Sequence, residues 1–319
     1  MFNEVKVDIV DVTPSSYKKT LNVIEKLEDI GRARVRIEKP LRVVIYKEAQ
    51  ALNNKYPTLP AVSIATARIN GEHWVVLSEE VVNLDSQVFL GIFTHELGHM
   101  LLREKGCPSH LDEGFFGFLD DEFFKEKFYI LSRACNQSIT ELYRMLRGLG
   151  LRSNQRRKIM SLLGKRFSES LRGLIPDIYS DWNLIDNFLG TNLIDYYVQA
   201  TSQNLKILER IIKAEDLKAQ TEDWIEYTTV SRLIRVMGIA IAETLFQRLK
   251  SISFDNKKVV NIESKIRSVL KGDKIIKKSY HKMVEFALSL KKNPSKNYLE
   301  ERFSYFADKV IFPAINGRR

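Results

Sequence analysis

Residues 88–102 read VFLGIFTHELGHMLL, an apolar run whose only polar side chains are Thr94, His95, Glu96 and His99. A helix that is apolar on both flanks belongs under other layers of structure, not on a surface. Polar side chains inside it need a partner or a task, because burying them unsatisfied is costly. Residues four apart lie one above the other on a helix. His95 and His99 therefore aim two imidazole nitrogens at one point. Glu96 follows His95 and precedes His99 by three, so its carboxylate reaches that face without being a ligand. Neutral imidazole suits Zn²⁺, which in catalytic sites keeps three protein ligands and one open position. The H-E-x-x-H spacing carries a mechanism, in which the metal acidifies a water and the carboxylate takes its proton.

The surrounding sequence predicts a small sheet before this helix. EVKVDIVDV (4–12) alternates as a strand does, and a helix is expected over 17–30, ended by Gly31. ARVRIE (33–38) and LRVVIY (41–46) are β-rich runs split by Lys39-Pro40, and EAQALNNKY reads as a short helix. Asn70-Gly71 between SIATARI and EHWVVLS predicts a hairpin near a sheet edge, since both turn positions favour positive φ. Asp85 or Ser86 can cap the helix that follows, and Gly106 with Pro108 ends it, giving an active-site helix over about 86–105. Beyond residue 110 apolar residues recur at three- and four-residue spacing. The fold class expected is α+β: a small N-terminal mixed or antiparallel sheet with the active-site helix, then a large mainly α-helical portion. Three regions are expected: 1–106, a helical 107–250 carrying the third ligand, and a basic helical segment over 251–319.

Charge is unevenly placed. Residues 1–150 hold 19 Lys+Arg and 21 Asp+Glu, and residues 151–319 hold 31 and 19. The basic half fits solvated helix faces, or attraction to nucleic acid or an acidic partner. RSNQRRK (152–158) and KGDKIIKKSYHK (271–282) are its densest runs. The alternating start MFNEVKVDIVDVT is no signal peptide, and VMGIAIA (236–242) is too short to cross a bilayer. A cytoplasmic protein with no membrane partner is expected, with Cys107 and Cys135 as ordinary thiols.

Two histidines alone hold a metal weakly, so a third ligand is needed. The run GCPSHLDEGFFGFLDDEFF offers His110, Asp112, Glu113, Asp120, Asp121 and Glu122. Ser109 and Asp112 form a capping-box pattern, and His110 and Glu113 share the first turn of the helix it would open. The metzincin extension needs glycine at 102 and histidine at 105, where the chain has Leu102 and Lys105.

HELGH followed by PSHLDEGFFGF resembles the gluzincin branch of zinc metallopeptidases, in the MA-like families, over roughly residues 41–125. In those families the Glu of the second motif is the third zinc ligand, which the resemblance places at Glu113, with His110 as the alternative. His110 stands where many of them have Trp. The chain departs from them in three ways. The gap of 13 residues between His99 and Glu113 is short, Gly117 stands where some relatives have a histidine-orienting carboxylate, and the Gly-x-Met-x-Asn exopeptidase signature is missing.

The resemblance implies a zinc-dependent metallopeptidase in which His95, His99 and Glu113 bind Zn²⁺ and Glu96 activates water. Tyr129, Tyr143, Tyr179, Tyr196 and Tyr197 are candidates for the donor that steadies the oxyanion. An extended substrate would lie along an exposed strand of the 61–78 hairpin. The rival expectation is a non-catalytic, basic helical binding protein, or one acting on nucleic-acid-bound proteins, with HELGH structural.

Overall fold

The computed structural model describes residues 2–31, 35–61, 63–110, 152–213, 229–252 and 256–316. Four strands, β1 (Val5–Val10), β2 (Leu41–Tyr46), β3 (Ile64–Ile69) and β4 (Glu72–Ser78), form one sheet in the order β1-β2-β4-β3. β1 pairs parallel to β2 and β2 parallel to β4, while β3 turns back antiparallel to β4. The sheet is therefore mixed, and the class is α+β with a larger helical portion. Asn70 and Gly71 both take positive φ, 51° and 80°, and Ile69 faces Glu72 across the turn. Such a turn matches the twist of the strands it joins. β2 and β4 are paired on both sides, which explains their unbroken apolar centres, Val43–Ile45 and Val75–Leu77, all fully buried. The run ARVRIE forms no ladder over its described residues; Ile37 makes only a single bridge to Phe2.

Eleven α-helices lie in the described residues: α1 (Pro14–Gly31), α2 (Ala49–Lys55), α3 (Glu79–Val82), α4 (Ser86–Glu104), α5 (Ser153–Asp186), α6 (Ile194–Lys213), α7 (Thr229–Ser251), α8 (Lys257–Leu270), α9 (Lys274–Leu288), α10 (Lys296–Tyr305) and α11 (Phe312–Asn316). α4 carries HELGH, and every residue from Val88 to Leu102 is buried. Asp85 caps it by accepting from the backbone N–H groups of Gln87 (2.8 Å) and Val88 (3.4 Å). Its end is a Schellman motif, in which Cys107 N–H reaches Leu102 O and Gly106 N–H reaches Arg103 O. Two side chains of the last turn tie α4 to the sheet. Arg103 donates to Thr66 O on β3 at 3.0 Å, and Glu104 accepts from His73 Nε2 on β4 at 2.9 Å.

The chain divides into two compact units, residues 1–118 with 176–199, and residues 119–175 with 200–319. The division falls inside α5 at Pro176, whose missing N–H interrupts the helical ladder. The first unit holds the sheet and α4. In the second, α9 packs along α7. Among the described residues no helix is long and apolar enough to cross a membrane.

His73 and Glu104 make the first unit sensitive to acid. Burial holds the His73 imidazole below its ordinary value of 6.5 against the pull of Glu104. Glu104 sits below the usual carboxylate range: partial burial works the other way, but the His73 hydrogen bond outweighs it. Both groups bind fewer protons folded than unfolded, so their stabilisation is present at neutral pH and is lost as pH falls below 6.5 and on through the carboxylate range. Urea midpoints of the wild type should fall between pH 7 and 5, and His73→Gln should flatten that fall. Equal slopes in the two proteins would remove His73 from the account.

Candidate metal centre

The site begins with two glycines on one face of α4. A Cβ on Gly98 would lie 2.2 Å from Ser180 Oγ, 2.8 Å from Leu184 Cδ1 and 2.9 Å from the Ser180 carbonyl oxygen. A Cβ on Gly91, two turns earlier, would lie 2.7 Å from Tyr196 Cβ and 2.8 Å from the Asn192 carbonyl oxygen. Only glycine lets both segments approach this closely. Ser180 closes the contact by donating from Oγ to the His95 carbonyl oxygen at 2.9 Å. Asp177, Ser180, Asp181 and Leu184 share one face of α5, spaced 3, 4 and 7 residues from the first. Docking Ser180 and Leu184 on Gly98 therefore delivers both carboxylates to the histidines.

His95 Nε2 and His99 Nε2 stand 3.1 Å apart, and Asp177 Oδ1 lies 3.4 Å from His99 Nε2 and 3.7 Å from His95 Nε2. A tetrahedral ion with bonds of about 2.0–2.1 Å separates its ligand atoms by roughly 3.3 Å. The three observed separations bracket that figure, so His95, His99 and Asp177 could hold one metal ion. Both histidines are buried, whereas the Asp177 side chain is 32% exposed, which leaves the cluster reachable from solvent on that side.

The second nitrogen of each imidazole is also held. Asp181 Oδ1 lies 2.9 Å from His95 Nδ1, and Tyr197 Oη donates to Asp181 Oδ2 at 2.6 Å. An ionised carboxylate only accepts, so His95 Nδ1 carries a proton for Asp181, and Nε2 is the nitrogen that faces Asp177, where an ion would take the place of its proton. On the other side His99 Nδ1 lies 2.7 Å from His110 Nε2, and His110 Nδ1 lies 2.8 Å from Ser109 Oγ. With His99 Nδ1–H donating to His110 and His110 Nδ1–H donating to Ser109, every nitrogen away from the cluster is satisfied. His99 Nε2 is then the second nitrogen that faces Asp177.

The electrostatics favour a positive charge at this point. Burial works against charge on His95, but Asp181 and Asp177 outweigh it and hold the imidazole well above its ordinary value. Asp177 is held well below the carboxylate range: burial would raise it, and hydrogen bonds from His95 and His99 prevail. Burial and the neighbouring His99 push His110 well below the ordinary histidine value. Burial pushes the Tyr196 hydroxyl up to about 12, so it remains a proton donor at neutral pH.

Of the residues singled out from sequence, His95, Glu96 and His99 share the buried middle of α4. His110 is brought to the Nδ1 side of His99, away from the point where the Nε2 atoms and Asp177 meet. It closes a 3-10 turn, Pro108–His110. Glu113, the expected third ligand, lies outside the described residues, as do Asp112, Asp120, Asp121, Glu122, Tyr129 and Tyr143. Tyr196 and Tyr197 flank His95, with ring centroids at 6.1 and 6.3 Å. Tyr179 packs instead on Trp182. Sequence reasoning missed Asp177 and Asp181. The available signal was DIYSD, two carboxylates four apart in an apolar helical stretch, the arrangement found missing at Gly117.

Comparison of the chain with protein-family models, with curated proteins and with solved structures finds no match in any of the three.

The close approach at Gly98 has a sign that stability can read. Gly→Ala inside a helix ordinarily stabilises by up to about 1 kcal/mol, whereas forcing atoms into a filled contact costs about 1–3 kcal/mol. Gly98→Ala should therefore destabilise. Gly238→Ala, whose Cβ would meet only the Asn204 side-chain amide, should be neutral or stabilising. Chemical denaturation of both variants checks the pair, and a Gly98→Ala protein as stable as wild type would contradict the crossing.

Proposed function

We propose that the chain is a zinc-dependent metallopeptidase whose metal is held by His95, His99 and Asp177. The observation that carries this reading is the convergence of three potential ligand atoms at 3.1–3.7 Å, with the far nitrogens of both histidines held by other partners. Three protein ligands and a solvent-facing side are what a catalytic zinc site needs, while a structural one is closed by four. Bound there, zinc would supply Lewis acidity to a peptide carbonyl and to water. Glu96, buried between the two histidines in sequence, is the base that takes the proton of the attacking water and passes it to the leaving amine. Tyr197 is committed to Asp181, so Tyr196 is the residue to donate to the developing oxyanion. β3 pairs only with β4 among the described strands, and its outer edge offers backbone groups to an extended peptide. A cytoplasmic setting belongs to the same reading and accords with Cys107 as a free thiol.

Metal content by mass spectrometry tests the ligand set. About one zinc per chain is expected in wild type, in Glu96→Gln and in Glu113→Ala, and none in Asp177→Ala. Zinc lost from Glu113→Ala but kept by Asp177→Ala would return the third ligand to Glu113. No zinc in wild type after reconstitution would end the reading. Given a loaded enzyme, Glu96→Gln should lower peptide hydrolysis by about 10²–10⁴-fold with zinc retained.

Tyr196 and Tyr197 should separate in their effects. Tyr196→Phe should lower kcat by about 10²–10³-fold and leave zinc affinity unchanged. Tyr197→Phe should weaken zinc binding by about 10–100-fold and spare turnover of the loaded chain. Chelator competition and steady-state kinetics read the two, and the reverse pattern would exchange their roles.

A further inference from the structure

The charge of the chain follows its two compact units more sharply than its two halves. Residues 1–118 and 176–199 carry 14 Lys+Arg against 20 Asp+Glu, a net of −6. Residues 119–175 and 200–319 carry 36 against 20, a net of +16.

Within the basic unit, α8 and α9 follow one another and pack together. Lys265 and Arg267 on α8, Lys271 in the connection, and Lys274, Lys277 and Lys278 on α9 are all exposed. Lys274, Lys277, Lys278 and His281 fall at the spacing that lines one helix face. An ordinary solvated face intersperses both signs. Here the only two acids between Lys257 and Val284 are turned to other work. Glu263 is buried and accepts from Lys250 at 2.6 Å. Asp273 caps α9 by accepting from Ile275 and Ile276 N–H and lies 3.7 Å from Arg232. What reaches solvent along that stretch is cationic, and the first exposed carboxylate after it is Glu285 in the last turn of α9.

We infer that the α8–α9 pair is a surface for the phosphate backbone of nucleic acid. Regularly spaced phosphates are the partner that a multi-lysine face complements when its one exposed carboxylate, Glu285, stands at its end. No Phe, Tyr or Trp is exposed between Lys257 and Val284, so the broad rings on which successive bases stack are missing there, and binding is indifferent to sequence. A lipid surface fits less well. The apolar sides of both helices, with Ile262, Ile266 and Leu270 on α8 and Ile276 and Met283 on α9, are buried within the unit, and the exposed Val260 and Leu288 are single side chains, not a face to insert. This inference stands apart from the peptidase reading, because Glu96→Gln removes turnover and leaves this surface unaltered.

Fluorescence anisotropy of the full chain with a scrambled DNA duplex about 25 base pairs long tests it. Six phosphate contacts would give a slope of about −5 in log affinity against log salt, and a loss of about 10³-fold between about 50 and 200 mM. Two unrelated duplex sequences should bind alike. Replacing Lys274, Lys277 and Lys278 together by Gln should reduce the slope by about 3, while Gln at Lys6, Lys18 and Lys26 of the acidic unit, a matched loss of charge, should leave it unchanged. These side chains are exposed, and circular dichroism should show both triple variants folded. Absence of binding at the lowest salt, equal losses in the two triple variants, or preference for phosphatidylserine vesicles over the duplex would each overturn the inference.

Discussion

The arrangement of polar groups in the first unit depends on how closely the backbones of α4 and α5 meet at Gly98. A side chain as small as a methyl group there would collide with the Ser180 backbone, and Asp177 and Asp181 would move away with it. Helix packing usually holds axes about 8–10 Å apart because side chains intervene. Removing them at one crossing lets an aspartate, the shorter of the acidic side chains, reach the Nε2 atoms of His95 and His99. The glycine inside HELGH is thus as much a part of the site as the histidines.

The two imidazoles are supported by unlike partners. On one side stands a carboxylate backed by a tyrosine hydroxyl, and on the other a neutral imidazole backed by a serine. A carboxylate raises the basicity of the ring it orients, and a neutral acceptor orients with less electrostatic push. The two histidines are consequently unequal, with His95 the one drawn towards positive charge. That inequality arises from the fold, since nothing in the two side chains themselves distinguishes them.

Local features of the chain were legible from sequence. The Asn70-Gly71 turn, the Asp85 cap and the end of α4 near Gly106 are decided within a few residues, and each stands where the pattern placed it. The α+β class followed from the same signals. ARVRIE shows the limit: alternation made it look like a strand, but a strand needs a neighbour, and Ile37 finds only Phe2. The aspartates were illegible for a related reason. Asp181 meets His95 across 86 residues, and a pair of carboxylates four apart on a helix is commonplace until a partner is known. The expectation of a nearby ligand drew attention to residues 110–122, while the described cluster is closed by a helix much further along.

That distance in sequence has a consequence for the chain as a polymer. An ion gripping His95, His99 and Asp177 would be a cross-link as well as a reagent, fastening α4 to the C-terminal turns of α5. Closing a loop of this order removes about 4–5 kcal/mol of conformational freedom from the unfolded chain. The same ion that enables chemistry would thereby set the threading of the first unit, whose two stretches are interrupted by residues 119–175. Metal supply during synthesis would then govern how the molecule folds before it governs what the molecule does.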